Sequence, residues 1–519
     1  MSIQNDLSRA QAARQRGDLA QAKSIYQQIL AEQHHPEALH SLGQIAMRSQ
    51  DYSQAIAYFG QILDVYPDNA GTLNNRAIAY FQQGQISLAQ KDWERALDAD
   101  PKQSSFWFNL GRCFQAYQTT HGHTQAKKCF QKAVALTPDY VQAWNSLGNV
   151  LAECGKTKKA IQAYQKALSY EPEQIDTQVN MAVSYVEIHK RKTAYRLLKQ
   201  IAETVPAPAN ALYNLGILDL QSGLMQAGLE RYEKYRWVGN DFIRPKGNLD
   251  LPLWDGQAVD KLLICHEQGF GDTIQFSRYL AYASRLTQHL YLPLVPLMEG
   301  LSLDLDCPLT VIAEGDVLPE VDVWAPILRL LYVFSEQLFA QNFIPYFKID
   351  RAVLPESARR KVGIVWATGY RESPRLKKLY HRKSVDISLI EDLVRAHPDV
   401  DFYSFQVGQE EQAQPQGVLP LPVELKSFAD TAAYLQDMDL LISADTAVAH
   451  LAGALAMPVW VLIPSVADWR WEYEGDQTPW YPENMKLFRQ KPEDEDWSKV
   501  FQAVHHSLSE MKMLEATSI

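Results

Sequence analysis

Prolines recur along the first part of this chain at Pro67, Pro101, Pro138, Pro172 and Pro206, with steps of 34, 37, 34 and 34 residues. Proline cannot continue a helix, so one that returns at near-constant spacing ends the same element each time. A period near 34 leaves room for two helices and their turns. Such a pair cannot bury its apolar face alone and must be covered by its neighbours. The N-terminal half is therefore expected to be a stacked array of helix pairs.

The unit beginning at Val141 carries Trp144, Leu147, Gly148, Ala160, Tyr164, Ala167 and Pro172. The unit beginning at Ala70 carries Leu73, Ala77, Tyr80, Ala89, Trp93, Ala96 and Pro101. Both resemble tetratricopeptide repeats, and about seven such units run from near residue 2 to about 236, the outer ones imperfect as caps. Small residues (Gly43, Ala77, Gly111, Gly148, Ala182, Gly216) let paired helices approach. The 37-residue step is assigned to a small insertion near His121-Gly122-His123, between the two helices of its unit. Trp93, Trp107 and Trp144 read as core. Asn75, Asn109, Asn180 and Asn214 share one repeat position. A carboxamide both donates and accepts, so such a ladder can grip an extended peptide. In the O-GlcNAc transferase superhelix the resembling asparagines do this. Asparagine is also simply common at this position, and both readings stand.

At 519 residues the chain exceeds one core and calls for roughly three domains. Its 61 acidic against 50 basic residues give a net charge of -11, which argues against general nucleic-acid binding. Five scattered cysteines form no Cys-x-x-Cys pair, so neither a zinc site nor a disulfide framework is indicated. A polar N-terminal stretch, and the lack of an apolar run of about 18 residues, lead to the expectation of a cytoplasmic protein without a membrane span.

A Gly- and Pro-rich stretch at 237–257 reads as a linker. Beyond it, strand patterns (261–266, 362–367, 401–406, 440–443, 459–463) alternate with helical ones (273–287, 389–397, 430–437, 446–456). This alternation implies parallel sheets covered by helices, with ligands at the carboxyl ends of strands. Two strand-to-helix turns stand out. One contains Gly269, Gly271 and Asp272; the other contains Asp445 and Thr446. A helix start offers free N–H groups and a positive dipole end, where a phosphate docks.

The segments Glu267–Phe276, Val362–Ala367, Asp401–Gln406, Phe428–Ala433, Asp439–Leu455 and Asp468-Trp469-Arg470-Trp471 resemble bacterial proteins that fuse tetratricopeptide repeats to a heptosyltransferase-like domain. That domain is similar to the ADP-heptose:lipopolysaccharide heptosyltransferases, which are inverting, metal-independent enzymes of the GT-B fold. The resemblance implies an α-solenoid at 1–236, the linker, an acceptor-side domain at 258–355 and a nucleotide-sugar domain at 356–519. The first α/β domain is shorter than in those enzymes, and its middle, 293–347, is poor in motifs.

Asp272 is the candidate general base for an attacking acceptor hydroxyl, the role its counterpart has in the resembled enzymes. It could equally form a helix capping box with Gln275, and the two roles can coexist. By resemblance Asp445 bonds the donor sugar, Thr446 and adjacent N–H groups bind its diphosphate, and Lys383 neutralises phosphate. His450 lies one helical turn beyond Thr446 and reads as a phosphate contact or a buried core histidine. Lys383 belongs to a cluster with Arg371, Arg375, Lys377, Lys378 and Arg382, expected as a loop over the cleft and either solvated or contacting phosphate. Thr368 and Gly369 end the preceding strand as further contacts. Gln406, Val407 and Gly408 end the next one, near base or ribose. Asp468–Trp471 and Trp480-Tyr481 are expected to pack the C-terminal segment against the cleft, with Arg470 read either as part of that packing or as a functional residue. The combined expectation is a glycosyltransferase that takes a nucleotide sugar, needs no cofactor or metal, and acts on a protein or peptide presented by the repeats. The rivals are a repeat scaffold with an inactive GT-B domain, and another GT-B enzyme such as a nucleotide-sugar epimerase.

Overall fold

The computed structural model describes residues 3–238, 251–267, 269–293, 300–313, 316–337, 345–369, 373–408 and 414–516. Part of the expected linker, 239–250, and parts of the 293–347 stretch lie outside them, as do Gln268 and Arg371.

The described residues begin with seven helix pairs. They are Ile3–Gln15 with Leu19–Glu32, Pro36–Arg48 with Tyr52–Val65, Ala70–Gln82 with Ile86–Ala99, and Ser104–Ala116 with Thr120–Leu136. Val141–Glu153 with Thr157–Tyr170, Ile175–Glu187 with Arg191–Ala202, and Ala209–Gln221 with Met225–Val238 complete them. The small residue in the first helix of a pair receives an aromatic ring from the second. A Cβ at Gly111 would lie 2.6 Å from the Phe130 ring, and Gly43 and Gly148 stand in the same way against Phe59 and Tyr164. The prolines that set the period are tied down by the next unit. Trp107 Nε1 donates to the Pro101 carbonyl at 2.9 Å, Trp144 Nε1 to Pro138 at 2.8 Å, and Gln178 Nε2 to Pro172 at 2.7 Å. Trp93 is buried, while Trp107 and Trp144 are half-buried.

The 37-residue step is not an inserted loop. Thr120–Leu136 has 17 residues where its counterparts have 14, and Gly122 and His123 lie in its first turn. Thr119 caps that turn by accepting the Gly122 N–H at 3.0 Å, and His123 Nε2 meets Glu153 at 2.6 Å. The extra residues lengthen the helix because the added turn is capped and its histidine finds a partner.

The main break between two compact units falls between Ser184 and Tyr185, rather than at 236. The last repeat helices belong with the sheet-bearing part because they share its core. Leu220 and Leu229 pack in one apolar cluster with Trp254, Ile264, Ile274 and Phe276. Arg329 pairs with Glu233 and donates from Nε to the Trp254 carbonyl at 2.6 Å. The end of the expected linker is thus folded, with Trp254 fully buried.

Within the second unit lie two parallel sheets. The first contains β1 (Val259–Cys265), β2 (Thr287–Pro293), β4 (Leu309–Ile312) and β5 (Val323–Pro326), in the order β4-β2-β1-β5. β3 (Ser302–Leu303) and β6 (Phe347–Lys348) form a separate antiparallel pair. The second contains β7 (Arg360–Val365), β8 (Val400–Ser404), β9 (Leu440–Ala444), β10 (Val459–Ile463) and β11 (Met485–Arg489), in the order β11-β10-β9-β7-β8. Every residue of β9 and β10 is buried, as central strands covered on both faces require. The strand order reverses beside β1 in the first sheet, and between β7 and β9 in the second. Crevices at such reversals are where open parallel sheets bind ligands.

The expected helix at 273–287 is broken. It runs as Phe270–Phe276, a 3-10 turn Ser277–Tyr279 and a short helix Leu280–Ala283, before β2 begins. Ser277 Oγ donates to the Thr273 carbonyl at 2.6 Å and Arg278 Nε to the Gln275 carbonyl at 2.9 Å, which tightens the chain there. The basic segment is likewise not a loop: Pro374–Lys383 is a helix, with His381, Arg382 and Lys383 in its last turn, where cations suit the dipole.

Gly148→Val should lower stability by about 1–3 kcal/mol, the usual range for overpacking. Chemical denaturation checks this; an unchanged midpoint would show that Tyr164 yields freely.

Candidate functional site

The two turns singled out in the sequence converge. After β1 the chain turns at Gly269 into the helix Phe270–Phe276; after β9 it turns at Thr446 into the helix Ala447–Ala454. These helices pack on each other. A Cβ at Gly271 would lie 3.1 Å from His450 Cδ2 and 3.6 Å from Ala447 Cα, so glycine permits the approach. Thr446 occupies the N-cap position of its helix without a side-chain cap bond; its hydroxyl instead lies 3.2 Å from Ser443 Oγ. That start keeps its donor character.

Charged side chains from four segments meet here. Lys383, at the end of the basic helix, places Nζ 2.5 Å from Asp445 Oδ2. Asp272 accepts the Gly269 N–H at 2.9 Å through Oδ2 and pairs through Oδ1 with Arg470. Arg470 also pairs with Asp468 at 2.5 Å. The capping arrangement differs from the one expected. Asp272 is the third residue of its helix and reaches back to Gly269, while Gln275 is fully buried.

Burial would raise the Asp445 carboxyl, but Lys383 beside it holds it below the usual carboxylate range. Burial would likewise lower Lys383, and Asp445 followed by Asp468 raise it instead. The pair is therefore ionised. Burial pushes Asp468 up to about 6, against the pull of Lys383. Burial lowers Arg470 to about 10, still protonated at neutral pH. His450, lowered by burial to about 4, is a neutral ring. It stacks on Trp471 with centroids 5.1 Å apart and approaches Tyr481.

The other named residues divide. Thr368 N–H donates to Ser384 Oγ at 3.3 Å, and the space beside Gly369 is open. Gln406 is a clamp: its Oε1 accepts from Trp366 and Ala367, and its Nε2 donates to the carbonyls of Ala367 and Val407. Its carboxamide is spent on holding the end of β7, which weighs against the expected base or ribose contact. Gly408 adopts φ +74 with open space around it. Of the basic cluster, Lys378 and Arg382 both pair with Glu187, while Lys383 pairs with Asp445. Three of the four ladder asparagines bond between repeats, and the fourth bonds within its own helix. Asn75 Nδ2 lies 3.1 Å from His40 Nε2, while Asn109 and Asn180 donate to Asn74 and Asn145 at 3.0 and 3.2 Å. Asn214 donates to the Asn210 carbonyl at 2.7 Å. The donor half of the expected peptide grip is thus engaged elsewhere.

Sequence reasoning assigns Asp468 to packing and Arg470 to packing or function, and misses the charge bridge they make. A signal for it is present in Asp468-Trp469-Arg470: a carboxylate two residues before an arginine, in a turn where Asp468 caps the Arg470 N–H at 3.1 Å.

Comparison with known proteins locates the repeats. Tetratricopeptide-repeat family models match residues 13–70, 42–105 and 141–174. The chain carries tetratricopeptide repeats. It is similar to Protein FlbA of Caulobacter vibrioides, 24% identical across 92% of this chain and 85% of that protein, so the match includes both helical and sheet-bearing parts. It is 24% identical to human Protein O-mannosyl-transferase TMTC3, across 35% of this chain and only 21% of that protein. Among solved structures, a tetratricopeptide repeat protein from Parabacteroides merdae is 17% identical over 46% of this chain and 94% of that one, with a TM-score of 0.39. Among the described residues, no helix is long and apolar enough to cross a membrane.

Lys383→Met leaves Asp445 buried without its counter-charge and should destabilise the chain by about 3–5 kcal/mol at pH 7. Asp445 lies below its ordinary 3.8 in the folded chain, so the pair's contribution is present above that value and lost as pH falls. In the variant Asp445 is left to burial, which raises it, so it takes up a proton as pH falls and the difference between wild type and variant should shrink from pH 7 to pH 4 in denaturant titrations. A constant difference would remove Asp445 as the cause.

Proposed function

We propose that this protein is a glycosyltransferase whose crevice binds a nucleotide-diphosphate sugar, with its two parallel sheets acting as the halves of a GT-B fold. The observation that carries the reading is the convergence of two strand-end turns at chain reversals, with an uncapped helix start at Thr446 beside Lys383. The partial likeness to an O-mannosyl-transferase agrees in reaction class but reaches a fifth of that protein, and no residue role is taken from it.

In this reading the diphosphate lies against the N–H groups opening the helix Ala447–Ala454, facing Lys383. Asp445 turns from Lys383 to the sugar. Asp272 takes the proton of the acceptor hydroxyl as its oxygen attacks the anomeric carbon with inversion. The bond from that carbon to the phosphate oxygen breaks, and the negative charge gathering on the leaving diphosphate meets Lys383 and Arg470. Two fixed cations supply the counter-charge that a divalent metal provides elsewhere. The acceptor is a protein or peptide presented by the tetratricopeptide repeats, an inference from architecture.

A second reading has a specific observation behind it. Both Asp272 oxygens are engaged, one by Gly269 and one by Arg470, which suits a crevice that binds a nucleotide without turnover, on a scaffold protein. Arg470 holds one Asp272 oxygen and must yield it before the proton can move.

A thermal-shift panel with ADP, UDP, GDP and dTDP tests the donor site. At about a hundred times its dissociation constant, the matching nucleotide should stabilise by roughly 2.7 kcal/mol, an effect lost in Lys383→Ala. No shift with any of them would contradict the reading. Once a donor is found, Asp272→Asn should abolish transfer while keeping the shift; undiminished turnover would remove Asp272 from the mechanism.

A further inference from the structure

The crevice has an imbalance of charge. Three carboxylates, Asp272, Asp445 and Asp468, face two cations, Lys383 and Arg470, and around them Glu267 acts on Arg470 and Arg278 on His450, one further charge of each sign. Carboxylates exceed cations by one before any ligand enters, and a diphosphate diester adds two more negative charges. Buried like charges at this separation disfavour full ionisation, so one group is expected to take a proton.

The three carboxylates are not equally placed to do so. Asp445 is held by Lys383, with its side chain 6% exposed. Asp272 is held by the Gly269 N–H and by Arg470, with its side chain 12% exposed. Asp468 shares the Arg470 guanidinium with Asp272, accepts the turn amides of Arg470 and Trp469, and leaves 35% of its side chain exposed. A proton from solvent reaches it most directly. We propose that Asp468 takes up a proton when an anionic diphosphate enters the crevice, and so releases Arg470 towards the ligand. This rests on the crevice being a nucleotide-sugar site.

The groups around Asp468 fit this role. Lys383 and Asp445 act on it from the basic helix and the β9 turn, and Arg470 lies on its own turn. Asp272 reaches it through Arg470 from the first sheet. His450 is the rival proton acceptor, since Asp445, Arg278 and Lys383 all act on it. Its ring is stacked on Trp471, against the backbone of Gly271. Asp445 and an entering diphosphate act on Asp468 in the same direction, both favouring its protonated form. Asp468 is then a positioning residue: it touches no reacting atom and acts by controlling Arg470.

Isothermal titration of the intact chain with UDP-glucose, GDP-mannose and ADP-glucose tests this. These diphosphate diesters do not themselves titrate between pH 5 and 8. Heats measured at pH 7 in phosphate and in Tris report the protons exchanged on binding. Wild type should take up a sizeable fraction of one proton and bind several-fold more tightly at pH 5.5 than at pH 8. Asp468→Asn should show no uptake and a Kd independent of pH. Binding without uptake in wild type, or uptake that persists in Asp468→Asn, would overturn the proposal and leave the nucleotide-sugar site standing. Failure of wild type to bind any of the three at either pH would overturn both.

Discussion

The close approach of two short helices, Phe270–Phe276 and Ala447–Ala454, is the constraint on which the rest of the second unit depends. Each starts at the carboxyl end of a strand beside a reversal in its sheet. They can pack only because Gly271 has no Cβ to meet His450, and because the facing helix is lined with alanine and glycine. A larger residue at 271 would part the sheets at the point where Asp272 and Asp445 come into one crevice. The neutral His450 ring, fixed by stacking on Trp471, is the floor of that contact, which accounts for its burial without giving it a phosphate to hold.

Desolvation decides the electrostatics of that crevice. Removing single charges from water would be prohibitive, so each arrives with a partner on another element. Lys383 on the basic helix meets Asp445 after β9, and Arg470, on the 3-10 turn Trp469–Trp471, meets Asp272 after β1. Ion pairs of this kind add little net stability, but they hold donors and acceptors of fixed sign around the crevice. The 3-10 turn that carries Arg470 is itself held by the last repeat helices, with Gln221 Nε2 donating to the Ala467 carbonyl at 2.9 Å. Those helices have therefore become part of the core beneath the site.

Much of this is legible in the sequence, for physical reasons that differ by region. The repeat period arises from small residues, aromatic rings and prolines that act locally, so the helix pairs can be counted. The buried strands β9 and β10 are continuous apolar runs and announce themselves. β2, β4 and β5 do not: their residues alternate or are few, and a helix pattern running into Thr287 masks the start of β2. The break in that helix depends on Ser277 and Arg278 bonding backward to carbonyls, which no periodicity reveals. At the site, Asp272, Asp445 and Thr446 are visible at strand-to-helix turns, while Lys383 stands out only through its basic cluster and the family resemblance, because its segment reads as a loop. The Arg470 bridge is not visible, because it joins residues about 200 positions apart whose pairing is set by how the two sheets meet. The asparagine ladder and Gln406 escape sequence reasoning for a common reason. A carboxamide's partners are fixed by tertiary neighbours, and here those neighbours are other parts of the chain.

The central claim is that the crevice between the two strand-end turns holds a nucleotide sugar. A crystal structure of the chain grown with the nucleotide sugar it binds tests that most directly. The account predicts diphosphate oxygens within hydrogen-bonding distance of the Ala447 and Val448 N–H groups and of Lys383 Nζ, with the anomeric carbon turned towards Asp272. A ligand bound elsewhere, with the Lys383–Asp445 and Arg470–Asp272 pairs undisturbed, would contradict it.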